Sequence, residues 1–265
     1  MTFEEDLQDL IRCYEESPHP SYKVTSYFSA YTELFRHLRN TKCSFIETGV
    51  LNGGSLFMWR AWLGPDARII GCDLNPDAVK WRSEGFDIFV GDQGDRQFWR
   101  EVYKEIGEFD VLLDDGGHFA FQQIVTLTEA IRAAKAGSRV VIEDTCTSMM
   151  SGFRVQDDRT FLNYAKTSTD VLTARMAHMY PLQFPPTRND VIIEEMKAVT
   201  SIQFFPGIVA YRIDPALAFR PELVWNRKPV NGAEDYRLRS SFLSAEVEWP
   251  DPFMRESVIV KSGSK

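Results

Sequence analysis

The chain has 265 residues, of which 44% are hydrophobic and 26% charged, and this length is enough to bury one sizeable core. A net charge of -8 and the lack of a lysine–arginine block in the sequence argue against a nucleic-acid partner. No apolar run approaches the roughly 20 residues that cross a bilayer, and the first residues do not have the pattern of a signal peptide. We therefore expect a cytoplasmic protein that does not enter membranes.

The cysteines are far apart in the sequence. Cys13, Cys43, Cys72 and Cys146 form no C-x-x-C pair. This spacing predicts neither a zinc site nor a disulfide framework, and we expect buried, reduced thiols.

Two amphipathic helices are predicted at the beginning of the sequence, over residues 3–16 and 22–39. Apolar side chains recur there at three- and four-residue spacing, and the Ser-Pro-His-Pro between them interrupts the pattern. We define residues 1–41 as an N-terminal helical cap.

Short apolar runs follow, separated by amphipathic helices, and this alternation is typical of a parallel sheet covered on both faces. The runs are CSFIETG, ARIIGCD, DIFVGD, FDVLLDD and SRVVIED. Every run has an acidic residue at its end or within two residues of it, so acids are expected to gather at the carboxyl edge of the sheet. In open α/β sheets this edge is where ligands bind.

The alternation fails over residues 145–195, which we predict to be a lid over the acceptor site. Two apolar runs joined by Pro206-Gly207 then predict an antiparallel hairpin. The predicted core, residues 42–215, is thus an α/β, Rossmann-like, seven-stranded and mostly parallel sheet with a C-terminal hairpin and helices on both faces. Residues 216–265 are predicted to be a peripheral extension.

A glycine-rich turn after the first strand predicts a nucleotide-like ligand. Gly49, Gly53 and Gly54 allow close approach of the backbone, and Asp73, at the end of the next strand, suits a ribose diol. The G-x-x-x-G-G spacing differs from the dinucleotide turn, and Glu47 would repel a phosphate. An NAD-dependent oxidoreductase on the same sheet is therefore the weaker alternative, and a ligand with a ribose, an amino group and a cation fits better.

The stretch from Glu47 to Ser55 reads E-x-G-x-x-x-G-x-S and resembles the first motif of the class I S-adenosylmethionine (SAM)-dependent methyltransferases. The resemblance implies that Glu47 and Gly49 lie along the methionine part of SAM, that Asp73 takes the ribose hydroxyls and that Asp92 faces the adenine. An alternative is that Asp92 and Asp95 cap the following helix. The predicted cofactor residues are Glu47, Thr48, Gly49, Gly53, Ser55, Asp73, Asp92 and Asp114.

A second group of polar residues follows the fourth and fifth strands. Asp115 and His118 follow the fourth, and Glu143 and Asp144 follow the fifth, so three carboxylates and an imidazole are expected to converge. Three unpaired carboxylates repel one another, whereas a hard divalent cation makes the cluster favourable. Mg2+ fits these oxygen ligands best, and calcium or manganese would also fit. The alternatives are acids at a helix start, a turn at a strand end and an ordinary surface histidine.

The segments LLDDGGH, VVIEDTCTS and SIQFFPGIVAYRI together resemble the metal-dependent sugar and natural-product O-methyltransferases, a group that includes mycinamicin-type macrolide sugar enzymes and cephamycin-biosynthesis relatives. The resemblance implies that Asp115, Glu143 and Asp144 hold Mg2+ and that His118 is the general base. It further implies a hydroxylated acceptor such as a sugar or glycoside, and a homo-oligomer.

The sequence also departs from this group. Cys146, Met149 and Met150 replace a histidine and two aromatic residues, and they are predicted to line the acceptor pocket. Lys23 and Tyr27, together with Tyr31, either cover the cofactor or belong to simple helix packing. An accessory protein that binds SAM or a sugar without methylating it remains an alternative.

Overall fold

The fold is a seven-stranded sheet flanked by helices, in a computed structural model that describes residues 2–153, 159–175 and 194–215. The strands are β1 (Ser44–Thr48), β2 (Arg68–Asp73), β3 (Asp87–Val90), β4 (Val111–Asp114), β5 (Arg139–Ile142), β6 (Val199–Phe205) and β7 (Ile208–Ile213). The helices are α1 (Phe3–Glu15), α2 (Thr25–Phe35), α3 (Gly54–Leu63), α4 (Arg96–Ile106), α5 (Ala120–Ala133) and α6 (Phe161–Ala174). Short 3-10 helices cover Arg36–Leu38, Pro76–Glu84, Thr145–Met149, Ser151–Phe153 and Glu194–Ala198.

The strand order is β3-β2-β1-β4-β5-β7-β6. The first five strands in this order run parallel, and β7 lies antiparallel to both β5 and β6. The predicted sheet and its C-terminal hairpin at Pro206-Gly207 are therefore confirmed. Because the chain leaves β1 first towards β2 and later returns to β4 on the other side, the order reverses at β1, which places a crevice above the carboxyl ends of β1 and β4.

The core has one half on each face of the sheet because neighbouring strand residues point to opposite sides. Phe45 of β1 packs with Phe35 and Trp59 on the face covered by α1, α2 and α3. Its neighbour Ile46 belongs to the opposite half, which contains Trp99 and residues of α4, α5 and α6. Fully buried aromatic side chains of this size make the largest single contributions to apolar burial.

The second helix begins later than its sequence pattern predicts. Residues 21–24 are not helical, and α2 runs from Thr25 to Phe35 before it tightens into a 3-10 turn. The loop between α1 and α2 lies beside the first turn of α3, where Ser17 Oγ donates to the carbonyl of Gly54 at 2.7 Å. This docking takes precedence over local helix propensity and leaves Lys23 free to reach the sheet edge.

Part of the predicted lid belongs to the core. Within residues 145–195, α6 packs against α5 and β6, and its side chains Phe161 and Ala165 are fully buried. Phe161, Ala165 and Val171 lie on one face of α6 and contribute to the second half of the core, so this part of the segment is a packed helix. Residues 154–158 and 176–193, which include PLQFPPTRND, and the predicted extension 216–265 lie outside the described residues.

The described residues include all four cysteines. Cys43 and Cys72 are buried and Cys13 is partly buried, but Cys146 is exposed, contrary to the expectation of buried thiols. None of the helices that the structure describes is long and apolar enough to cross a membrane.

Candidate functional site

A cavity of about 510 Å³ lies above the carboxyl ends of β1, β2 and β4. Of the predicted cofactor residues, five line it: Thr48, Gly49, Ser55, Asp73 and Asp92. The segment Pro20–Tyr22, from the N-terminal cap, supplies another part of the wall. The volume lies within the usual range of sites for small molecules and cofactors.

The backbone conformation of the turn after β1 requires glycine at two positions. Gly49 has a φ of +90°, and a Cβ there would lie 2.0 Å from the carbonyl oxygen of Asp115. Gly53 has a φ of +82° at the N-cap of α3, and a Cβ there would lie 2.6 Å from the Trp81 ring. Both positions exclude side chains, and Gly49 keeps the β1 and β4 loops in contact.

Asp73 and Asp92 organise the loops around the cavity. Oδ2 of Asp73 accepts hydrogen bonds from the backbone N–H groups of Val50 (2.8 Å) and Leu51 (3.0 Å). Oδ1 of Asp92 accepts from the N–H of Gly94 at 2.7 Å. The alternative role proposed for Asp95 is also present, because its side chain caps α4.

The other predicted cofactor residues support the cavity from behind. Glu47 is fully buried and accepts from Ser55 Oγ at 2.7 Å and Trp59 Nε1 at 3.2 Å. Asp114 is also buried and accepts from Gln93 Nε2 at 2.8 Å. Burial raises the pKa of Asp114 to about 6 and also raises that of Glu47.

Three buried polar atoms in the cavity wall have no hydrogen-bond partner among the described residues. They are Thr48 Oγ1, His118 Nδ1 and Gln122 Oε1. Because buried polar groups in native proteins are nearly always paired, these atoms are suited to bind polar groups of a ligand.

An ammonium lies among the acids that the sequence places at the strand ends. Nζ of Lys23 is 2.5 Å from Asp115 Oδ2, 3.2 Å from Glu143 Oε2 and 3.7 Å from Glu47 Oε1, and the Lys23 side chain is 2% exposed. We call Glu47, Asp115 and Glu143 the acid cluster. Lys23 was predicted to cover the cofactor or to pack in a helix, and its position in the acid cluster was missed.

The charges of the acid cluster and Lys23 depend on one another. Burial alone would lower the pKa of Lys23, but Glu143, Asp115 and Glu47 raise it above its ordinary value, so the ammonium stays charged. Burial raises the pKa of Glu143 well above its ordinary value, although Lys23 opposes this shift. The ammonium of Lys23 is thus held by its carboxyl partners, while burial favours the protonated form of Glu143.

Two tyrosines of α2 bind the acids that follow β5. The hydroxyl of Tyr31 donates to Glu143 Oε1 at 2.5 Å, and that of Tyr27 donates to Asp144 Oδ1 at 2.6 Å. Burial and these acids raise the pKa of both phenols, so the hydroxyls remain protonated donors. The Tyr31 ring also lies near Lys23, with 5.8 Å between Nζ and the ring centroid.

Asp115, His118 and Asp144 form a second group, which we call the outer triad. One ligand atom from each lies within 4.8 Å of the others. His118 Nε2 is 3.5 Å from Asp144 Oδ2, and the side chains of all three residues are partly exposed, at 22% to 28%. Of the predicted metal ligands, the structure thus brings Asp115 and Asp144 together with His118, and it directs Glu143 to Lys23 and Tyr31 instead.

The backbone is strained at this group. His118 and Asp144 have φ values of 60° and 50°, and Leu51 in the cavity wall has a φ of 46°. Non-glycine residues with positive φ are uncommon and often occur at functional sites, where surrounding contacts hold them.

The sheet order and the position of the cavity define the class I methyltransferase fold. The MycE methyltransferase of the mycinamycin pathway, solved in complex with Mg and S-adenosylhomocysteine (SAH), superposes with a TM-score of 0.65 at 24% identity. The match covers 79% of this chain and 54% of MycE.

Curated sugar O-methyltransferases are also similar to this chain in sequence. The chain is 33% identical to 8-demethyl-8-(2-methoxy-alpha-L-rhamnosyl)-tetracenomycin-C 3'-O-methyltransferase of Streptomyces olivaceus. The match extends over 135 residues and covers 46% of this chain and 33% of that protein. It is 30% identical to mycinamicin VI 2''-O-methyltransferase of Micromonospora griseorubida. This match extends over 139 residues and covers 48% of this chain and 33% of that protein.

The predicted resemblance to sugar O-methyltransferases is therefore confirmed at the level of sequence similarity. The chain spans about a third to a half of the length of the curated relatives that it matches. No protein-family model matches it.

Proposed function

We propose that this protein is a SAM-dependent O-methyltransferase that acts on a hydroxyl of a sugar or another polyhydroxylated natural product and uses a divalent cation such as Mg2+. The observation that carries the proposal is the cavity at the strand-order reversal, with its three unpartnered polar atoms and the outer triad at one end. Similarity to sugar O-methyltransferases supports the choice of reaction.

The cavity fits SAM in its chemistry as well as its volume. Asp73 presents its carboxylate beside the Val50–Leu51 turn, where it can accept hydrogen bonds from ribose hydroxyls, and Asp92 lies further along the same wall. The carboxylates of Asp73, Asp92 and Asp115 in the cavity wall suit the positively charged groups of SAM.

The outer triad fits a hard divalent cation, because Mg2+ is commonly held by one or two carboxylates together with substrate oxygens and water. We assign Asp115 and Asp144 as its ligands. When bound, SAM would supply the methyl group, and the ion would lower the pKa of the acceptor hydroxyl.

His118 would remove the proton from the acceptor. Its Nδ1 is in the cavity wall without a partner among the described residues, so this ring nitrogen is available for the proton. Asp144 Oδ2 lies 3.5 Å from Nε2 on the other side of the ring and would stabilise the imidazolium.

Exposed apolar side chains near His118 support an acceptor with an apolar portion beside its hydroxyl. The ring centroids of Phe119 and Phe153 are 5.4 Å apart, and Phe153 lies 6.3 Å from the His118 ring. Met149 and Met150, predicted to line the acceptor pocket, are 72% and 48% exposed. A glycoside with an apolar aglycone would match this surface.

The test is the formation of SAH. The protein is incubated with SAM, Mg2+ and pooled glycosides, and SAH is measured by mass spectrometry, with parallel samples that contain EDTA. We expect SAH to form only with the ion and an acceptor. A calorimetric titration in which NADH binds and SAM does not would refute the proposal.

An accessory protein that binds SAM or a sugar is the second candidate. Lys23 supports it, because the acid cluster already contains a counter-charge without any ion. Binding of SAM without SAH formation over the whole acceptor set would favour this function. A cytoplasmic location and a homo-oligomeric state remain predictions.

A further inference from the structure

The deep end of the acid cluster already holds a cation that belongs to the chain. Lys23 Nζ makes charged hydrogen bonds to Asp115 Oδ2 at 2.5 Å and to Glu143 Oε2 at 3.2 Å. Removal of either partner from a buried ion pair leaves an uncompensated charge, so an ion that displaced Lys23 would have to offset that loss.

Both carboxylate oxygens of Glu143 already have a hydrogen-bond partner. Oε1 accepts from the Tyr31 hydroxyl and Oε2 from Lys23, while the backbone carbonyl accepts from Gln123 Nε2 at 3.0 Å. The Glu143 side chain is 1% exposed. It is therefore held by Lys23 and Tyr31.

The outer end has free ligand atoms. In the described part of the chain, Oδ1 of Asp115 accepts no hydrogen bond, since Lys23 is bound to Oδ2. Tyr27 occupies Oδ1 of Asp144 and leaves Oδ2 directed towards His118. Two carboxylate oxygens at a partly exposed position can hold a divalent cation when water and substrate complete its shell.

We propose that Lys23 is the resident cation of the deep end of the acid cluster and that a divalent ion binds only at the outer end, through Asp115 and Asp144, with Glu143 outside its coordination sphere. Lys23 is a positioning residue in this arrangement, because it fixes one oxygen of Asp115 and leaves the other for the ion. This inference rests on the proposed function in one respect, namely that a divalent ion binds to the protein.

The first experiment compares two neighbouring carboxylates. Mn2+ binding to the full chain is measured by electron paramagnetic resonance for the wild type, Glu143→Gln and Asp144→Asn. We expect the Kd of Glu143→Gln to stay within about 3-fold of the wild type and that of Asp144→Asn to rise by at least about 10-fold. Equal losses in the two variants would overturn the inference.

The second experiment removes the resident charge. Lys23→Met should bind Mn2+ about 10-fold more tightly, because a positive charge next to Asp115 is lost, and its Tm should rise on addition of Mn2+ more than that of the wild type. In Lys23→Met/Glu143→Gln most of the gain in affinity should persist, because the positive charge is still absent and Glu143 lies outside the coordination sphere. Loss of the gain in the double variant would instead make Glu143 a ligand. Unchanged Mn2+ affinity in Lys23→Met would contradict the proposal. If Lys23→Met does not fold, the comparison of Glu143→Gln with Asp144→Asn decides the outcome.

Calorimetric titration of the same proteins with SAH separates this inference from the proposed function. A wild type that binds Mn2+ but neither binds SAH nor forms it would refute the methyltransferase, while the variant comparison would still decide the role of Lys23. A wild type that forms SAH but binds no Mn2+ would overturn the inference and leave methyl transfer established.

Discussion

The hydroxyl of Tyr27 donates a 2.6 Å hydrogen bond to Oδ1 of Asp144, and this bond joins α2 to the residue that follows β5. Asp144 also has a positive φ, a strained backbone conformation that persists only where surrounding contacts hold it. Tyr27 thus fixes which oxygen of Asp144 faces His118.

We predict that Tyr27→Phe weakens Mn2+ binding by about 10-fold, because residues that orient a metal ligand commonly contribute this much to affinity. The measurement is a Mn2+ titration. Tyr14→Phe is the matched control, since the Tyr14 hydroxyl also donates a hydrogen bond, at 2.8 Å, but to the carbonyl of Ser21. Equal effects of the two substitutions would argue against the orienting role of Tyr27.

His118→Ala should lower kcat by about 10^2- to 10^4-fold, the usual contribution of a general base. The Kd values for SAH and Mn2+ should stay within about 3-fold of the wild type, because the proposed metal ligands Asp115 and Asp144 remain. Steady-state rates and the two titrations test this. Loss of Mn2+ binding would instead identify His118 as a metal ligand, since it is part of the outer triad.

Gly49→Ala should weaken SAH binding by at least about 10-fold and lower the Tm. The added methyl group would overlap the carbonyl of Asp115, and the positive φ adds roughly 1–2 kcal/mol of strain. Gly152→Ala is the control, because a Cβ at that position meets nothing within 4 Å. Unchanged SAH affinity in Gly49→Ala would show that the contact between the two loops is not needed for the cavity.

A buried ion pair in the N-terminal cap should make stability depend on pH. Asp6 accepts from Arg36 Nε at 2.8 Å and also binds Arg39. Burial alone would raise the pKa of Asp6, but the two arginines lower it below its ordinary value. The ionised form is therefore stabilised by folding. This contribution is complete above the unfolded pKa, near 4, and is lost as the pH falls through the lower folded value.

Asp6→Asn should consequently reduce the free energy of unfolding by about 2 kcal/mol at pH 7 and by progressively less below about pH 4. Urea denaturation at a series of pH values measures this. Asp87→Asn, which removes the exposed pair with Arg68, should cost less than about 1 kcal/mol. A constant deficit of Asp6→Asn across the pH range would show that the charge of Asp6 is unimportant.

The sheet could be predicted from the sequence because its signals are local. Apolar runs that end in acids, and Pro206-Gly207 between two such runs, specify strands, their ends and the hairpin without knowledge of distant contacts. The prediction also brought Asp115 and Asp144 to one edge, since parallel strands end there together.

The position of Lys23 could not be predicted in the same way. Its partners are Asp115 and Glu143, and its own segment has no pattern that indicates where an extended stretch will dock. The one available signal was the excess of acids at the strand ends, which requires a positive group nearby. That signal indicates a cation, and it does not distinguish a metal ion from a lysine.

The contacts of Lys23 also have a consequence for the order of folding. Lys23 is separated from Asp115 by 92 residues and from Glu143 by 120, so these pairings close long loops. Such contacts form late and slowly compared with helices and neighbouring strands. During synthesis, the lysine leaves the ribosome long before the two strands that carry its partners. A chain with its sheet assembled can therefore still lack a finished acid cluster, and activity should recover after the fluorescence of the buried tryptophans in a refolding experiment.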